Sequence, residues 1–222
     1  PVLQHFAFDR IGAFAKSAGY TFVKYTYPVI HLRKAQQDVY VELVEGSLME
    51  LNALVPLDEI AVVTAGAVFD LFSEAQFQTF GNMLLDHSCS LLATLNYTDM
   101  EIGTSDTATQ GYIALYEAHM QRPQDFGIGM GKECPRVMQA FYESSKAVDL
   151  TFGESHWQLD SEAKAMHQFL LGFMKESVAS MIEDPAALPA FYKWIEQQQA
   201  TSQQGKLSMR VGHVDLFAEF AG

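Results

Sequence analysis

Basic residues are scarce in this chain. Fourteen Lys and Arg stand against 27 Asp and Glu, a net charge of -13 and a pI near 4.8. No Lys/Arg-rich run offsets that charge locally, so a phosphate backbone would be repelled, and nucleic acid is excluded as a direct partner. Cysteine is scarcer still: Cys89 falls inside an apparent strand and Cys134 just ahead of Pro135. Two such distant thiols make neither a disulfide framework nor a zinc cluster, and they fit a reducing cytoplasm. No apolar run reaches the length of a bilayer span, and the N-terminus lacks the basic and apolar regions of a signal peptide. A soluble, cytoplasmic protein without a membrane partner is expected. Nor is there a nucleophile elbow, a Walker loop or a Cys/His cluster with metal spacing, so covalent hydrolysis and phosphoryl transfer lack their parts.

What is present is a large apolar fraction, 49% of 222 residues, enough for the full core of one α/β domain with a small annex. The most informative stretch is Ile60–Ser73, where an apolar run ends in Thr64, Ala65 and Gly66 and then restarts at helical spacing. This is the pattern of a buried parallel strand handing over to a helix, and ligands in open α/β sheets bind beyond such strand ends. A tight turn with no ligand explains the same residues.

Elsewhere the periodicity predicts a strand at 3–8 followed by a helix at 11–18, a strand at 39–44, and a short helix through Leu48, Leu51 and Leu54. Residues 20–37 alternate aromatic side chains around a proline and carry no assignment. A helix over 69–86, restarting at Ser73 and Glu74, leads to a strand at 90–96, a loop over 97–110 and an amphipathic helix at 112–122. An irregular segment to Gly131 follows, then a proline-opened helix at 135–145, a strand at 147–152 and a short extension at 157–159. Helices at 161–182 and 186–199 and a last strand at 207–214 complete the chain. The expected architecture is a Rossmann-like, doubly wound, mostly parallel sheet in which the final strand joins an edge antiparallel. It is one domain over residues 1–222, with a helical substrate-side insertion around 107–132 and a helical excursion around 161–199.

Asp9 closes the first strand, where doubly wound folds place an acid whose oxygens accept hydrogen bonds from ribose hydroxyls; an Asp N-cap accounts for it equally in kind. A glycine fingerprint would stand about 20 residues before that acid. Only eight residues precede Asp9, so if Asp9 is the ribose ligand the glycine loop and the first central strand are expected to be missing from this chain. Gly127, Gly129 and Gly131 do not replace it, because no hydrophobic strand precedes them; a loop on the substrate side fits better. Ser47 and Leu48 follow a strand where an adenine edge would meet small backbone, or else form a turn with a Ser N-cap. His119 and Asp125 flank the irregular segment and are candidates to position or deprotonate a small-molecule substrate, against a merely solvated histidine. Trp157, Arg210 and His213 carry the same ambiguity, packing for the tryptophan and solvent for the Arg/His pair being the ordinary outcomes.

Six segments, at 4–9, 63–73, 90–97, 119–131, 155–159 and 210–216, together resemble a poorly characterised branch of the bacterial class I S-adenosylmethionine-dependent methyltransferases. The resemblance implies S-adenosylmethionine as cofactor, with Asp9 on its ribose, Ser47 and Leu48 beside its adenine, and Thr64 and Ala65 beside its methionine moiety. It implies a substrate lying under His119, Asp125 and Phe126. Methyl transfer suits a chain with few acid–base groups, because an activated sulfonium held in line reacts through proximity. A catalytically inactive protein of the same fold, acting as a binding or regulatory partner, and a nicotinamide-dependent oxidoreductase are the alternatives. Neither the acceptor nor the oligomeric state is encoded in any motif.

Overall fold

A computed structural model describes residues 21–26, 29–34, 36–42, 44, 46–103, 106–124 and 127–220. The strand and helix expected at 3–8 and 11–18 lie outside them. The chain divides into two compact units, Pro1–Leu54 and Val55–Gly222.

The first unit holds an antiparallel meander of β1 (Thr21–Thr26), β2 (Val29–Lys34) and β3 (Gln37–Glu42), in that order. The aromatic alternation that carried no assignment is thus strand periodicity. Beyond it Ser47 caps a single turn, Leu48–Glu50, its Oγ accepting from the Met49 N–H at 3.2 Å, and the chain enters α1 (Leu51–Leu54).

The second unit is built on a five-stranded mixed sheet: β4 (Val62–Gly66), β5 (Ser90–Ile102), β8 (Val148–Glu154), β9 (Trp157–Leu159) and β10 (Met209–Phe220). The order is β4-β5-β10-β8, with β9 also paired to β10. Only β4 and β5 pair in parallel, and β10 is antiparallel to β5, β8 and β9. Four strands therefore run one way and β10 alone runs back. The sequence expectation needs three corrections. The reversed strand lies inside the sheet, paired on both sides, and its apolar Met209, Val211, Leu216 and Ala218 are buried. The strand expected to be buried, β4, is an edge: among the described residues it pairs with β5 alone, and Val62 is 43% exposed. Residues 97–102 are not loop but the second half of β5, whose buried Met100 and Ile102 alternate with acidic Asp99 and Glu101. Those two acids meet Arg210 of β10, which ion-pairs with Asp99 and lies 3.6 Å from Glu101. Their polarity hid a strand that long-range pairing supplies.

The helices are α2 (Glu74–Asp86), α3 (Thr107–Met120), α4 (Cys134–Ser145), α5 (Lys164–Ala179) and α6 (Leu188–Gln203). Ser73 and Gln76 form a reciprocal capping box on α2, Asp106 caps α3 through the Thr109 N–H at 2.7 Å, and Pro135 occupies the first turn of α4. Consecutive residues of β5 show that helices cover both faces of the sheet. Asn96 meets Cys134 of α4, while Tyr97 packs edge-on against Tyr116 of α3 at 6.2 Å. The Tyr97 side holds a continuous core with Ile113, Leu171, Met174, Phe191, Trp194 and Val211. Between α3 and α4 the irregular segment forms a two-rung hairpin, β6 (Pro123–Gln124) against β7 (Gly127–Ile128). Cys89 precedes β5 rather than lying in a strand, its thiol donating to the Leu57 and Ile60 carbonyls at 3.2 Å.

Candidate functional site

The backbone is most constrained where the parallel pair ends. After Gly66, Ala67 adopts a left-handed conformation with φ 53°, and its N–H bonds the Thr94 carbonyl at 2.9 Å. On the neighbouring strand Leu95 is left-handed too, with φ 57°. Left-handed backbone costs a non-glycine residue roughly 1–2 kcal/mol, and such conformations cluster at binding sites. Asp215 holds the second of them. Its Oδ1 accepts from the Leu95 N–H at 2.8 Å and from the Ser155 hydroxyl at 2.6 Å, at a point where the β10 register against β5 shifts. Asn96 finishes the arrangement, donating to the Ala93 carbonyl at 3.1 Å and the Val214 carbonyl at 2.9 Å. Ala67 is exposed, so nothing in its packing repays the strain. Ala67→Gly is therefore expected to raise stability by about 0.5–1 kcal/mol in urea unfolding; a loss would mean that the methyl group makes a contact.

Beyond Ala67 a single turn, Phe69–Leu71, carries Asp70. Its Oδ1 is enclosed and finds no hydrogen-bond partner among the described residues. Desolvation pushes this carboxyl above its ordinary value, with the Asp70 and Leu71 N–H groups offsetting part of the rise. Burial first, then the Asp70 carboxylate, pushes the Tyr116 phenol up to about 12, and the same two causes raise the Cys134 thiol. A carboxyl whose folded pKa is raised favours the folded state below its unfolded value of about 3.9 and loses that contribution as pH rises through the folded value. Asp70→Asn is accordingly expected to raise the unfolding midpoint at pH 7. The gain should vanish near pH 4. A gain that persists there would assign it to something other than charge.

Within the glycine run, Gly129 provides close approach. A Cβ on Gly129 would lie 2.7 Å from the Met120 carbonyl oxygen and 3.0 Å from that of Asp70, so only glycine lets the segment rest against the Asp70 turn. The Met130 N–H fastens it to the Phe72 carbonyl at 2.8 Å.

Thr64, exposed, and Ala65, half-buried, lie on β4 just before this strand end, as expected. His119 is half-buried on the last turn of α3, its imidazole held below the usual value by desolvation and then by Arg122. Ser47 and Leu48 sit in the first unit, Ser47 as the N-cap weighed against adenine contact and Leu48 exposed. Asp9, Asp125 and Phe126 lie outside the described residues. His213, expected to face solvent, is buried instead. It packs against Trp157 at 4.9 Å, its N–H donates to His156 Nδ1 at 3.0 Å, and its own Nδ1 has no partner among the described residues. Asp70, Tyr116 and Asp215 went unmarked in the sequence. Only the position of Asp70 just after a strand end could have signalled it.

No protein-family model and no curated protein matches the chain. Among the described residues no group of three or more His, Cys, Asp or Glu is placed to hold a metal ion, and no helix is long and apolar enough to cross a membrane.

Proposed function

We propose that the chain belongs to an S-adenosylmethionine-dependent methyltransferase and that the cofactor's methionine end lies at the carboxyl ends of β4 and β5. The carrying observation is the pair of left-handed, non-glycine residues Ala67 and Leu95, side by side where the parallel strands end, next to the small residues Ala65 and Gly66. Strained backbone bordered by small side chains is what close approach of a ligand demands, and the end of a parallel pair is where α/β sheets bind ligands. A sheet in which a single late strand runs back also supports the resemblance, although that strand lies one place in from the edge. Bound there, the cofactor would supply an electrophilic methyl group. The chain's part is to hold donor and acceptor in line and exclude water, which asks for few ionisable groups. Thr64 and Ala65 would flank the methionine moiety. Asp9 for the ribose and Ser47 and Leu48 for the adenine rest on the resemblance alone.

Titration calorimetry of the whole chain with S-adenosylmethionine tests this. Saturable one-to-one binding is expected, weakened by Asp9→Ala and abolished by Thr64→Trp, a change at an exposed position that leaves the fold intact by circular dichroism. Absence of heat with both S-adenosylmethionine and S-adenosylhomocysteine, from folded protein, would refute the assignment.

A further inference from the structure

The sheet edge formed by β8 and β9 is interrupted at Ser155 and His156, and a side chain mends it. The two strands follow one register against β10, with Val214 opposite Glu154 and Val211 opposite Trp157. In that register the Ser155 N–H donates to the His213 carbonyl at 3.2 Å, and an unbroken antiparallel ladder would return the bond from the His213 N–H to the Ser155 carbonyl. Instead the His213 N–H donates to His156 Nδ1 at 3.0 Å. An imidazole nitrogen accepts only while it carries no proton, so neutral His156 keeps its proton on Nε2, 3.2 Å from the Glu154 carboxylate.

A proton added at His156 Nδ1 would set a donor against a donor. A second cost belongs to His213 itself, which is only 6% exposed, packs beside Trp157 and has no partner for its Nδ1 among the described residues. Charged, that ring would hold a buried N–H without an acceptor. The acids around it are engaged elsewhere. Asp215 of β10 holds the Leu95 N–H and the Ser155 hydroxyl, and Asp99 of β5 pairs with Arg210. Glu117 of α3 takes the Tyr97 hydroxyl and Lys132, and Glu154 of β8 meets His156. From α5, His167 is taken up by the Ser202 hydroxyl and the Leu159 carbonyl. Burial therefore holds the His213 imidazole below its ordinary value; the Ser155 backbone, Asp215 and Asp99 oppose that fall, and His156 adds to it. A histidine held low in the folded state contributes fully above its unfolded value of about 6.5, and the contribution is lost as pH falls below it.

We propose that the Ser155–His156 connection is a pH-operated latch: protonation of His156 and His213 releases it from β10, and the release passes through the Ser155 hydroxyl to Asp215 and so to Leu95 at the end of the parallel pair. The latch goes beyond the methyl-transfer reading, since it needs no ligand and is measured without one.

Amide hydrogen exchange of the whole chain, followed by NMR from about pH 7.5 to about 5 and corrected for the intrinsic pH dependence of exchange, tests the latch. The His213 and Leu95 amides should lose protection below about pH 6.5, by up to about tenfold per pH unit for each proton taken up, while the amides of α6 keep theirs. His156→Asn retains an acceptor oxygen that does not titrate, and His213→Leu removes the buried imidazole; combined, they should leave both amides protected throughout. His87→Gln, remote from the latch, should change nothing. Constant protection in the wild-type chain, a fall shared by α6, or a fall that survives in the double variant would each overturn the proposal. Should the double variant fail to fold, the ring nitrogen shifts of the wild-type chain decide. His156 must then show an unprotonated Nδ1 at neutral pH, and both rings must take up protons together with the loss of amide protection. Protonation of either ring while the His213 amide stays protected would refute the latch.

Discussion

Phe69→Ala should lower the stability of the second unit by about 4 kcal/mol and its unfolding midpoint by about 10 °C. Phe69 is fully buried, and three other rings stand around it, Phe72, Phe77 and Phe80, each 5.4 Å away, the first two edge-on. Truncation loses the transfer energy of the ring, leaves a cavity that neighbours cannot close without abandoning their own contacts, and forfeits edge-to-face pairs worth about 0.5–1.5 kcal/mol each. The surroundings resist collapse because Phe77 is held from its other side by Phe141 and Tyr142. The consequence reaches the site, since Phe69 begins the turn that carries Asp70. Urea unfolding monitored by tryptophan fluorescence measures the loss. A cost under about 1.5 kcal/mol would mean that the cluster repacks, as volume-tolerant cores do.

Asp215→Ala is expected to cost about 2 kcal/mol, through local geometry and not a cavity. One carboxylate oxygen holds both the Leu95 N–H and the Ser155 hydroxyl. Its removal leaves a partly buried amide without a partner and lets go of a left-handed leucine that resumes an ordinary strand conformation at the first opportunity. Asp215→Asn keeps an acceptor in place and should recover about half of the loss, because the charge assistance goes but the geometry stays. Hydrogen exchange of the Leu95 amide separates this from general destabilisation. Asp215→Ala should speed that amide more than the amides of β8, whereas uniform acceleration across the sheet would contradict a local clasp. If the cofactor lies at this strand end, Asp215→Ala should also weaken S-adenosylmethionine binding, while Ala67→Gly, which relaxes the neighbouring strand without freeing it, should weaken it less.

Much of the secondary structure was legible from the residues themselves. The capping box at Ser73 and Gln76, the proline in the first turn of α4, and the apolar spacing of α5 and α6 all involve groups within four positions of one another, so the sequence displays them directly. The site was legible only in outline. Thr64, Ala65 and Gly66 marked the end of β4, because small residues after an apolar run are a local signal. Tyr116 carried no such signal, and Asp70 showed only its place just after that strand end, the two being 46 positions apart. The Trp157 and His213 rings likewise meet only because β9 and the first half of β10 are paired.

The amino-acid order by itself determined that helices form near their observed places, that strands and helices alternate, and which strand end is built of small residues, since each depends on dihedral preference, capping or side-chain period over a few positions, although the helix expected at 112–122 begins at Thr107. The tertiary structure decided that β4 is an edge and β10 an interior strand, that Asp99 and Glu101 belong to a strand, and that the Asp70 Oδ1 and His213 are shut away from water. The reason is that strand neighbours, desolvation and unpaired polar atoms are properties of groups brought together from far along the chain. Leu95 and Asp215, joined by one hydrogen bond across 120 positions, are the clearest case.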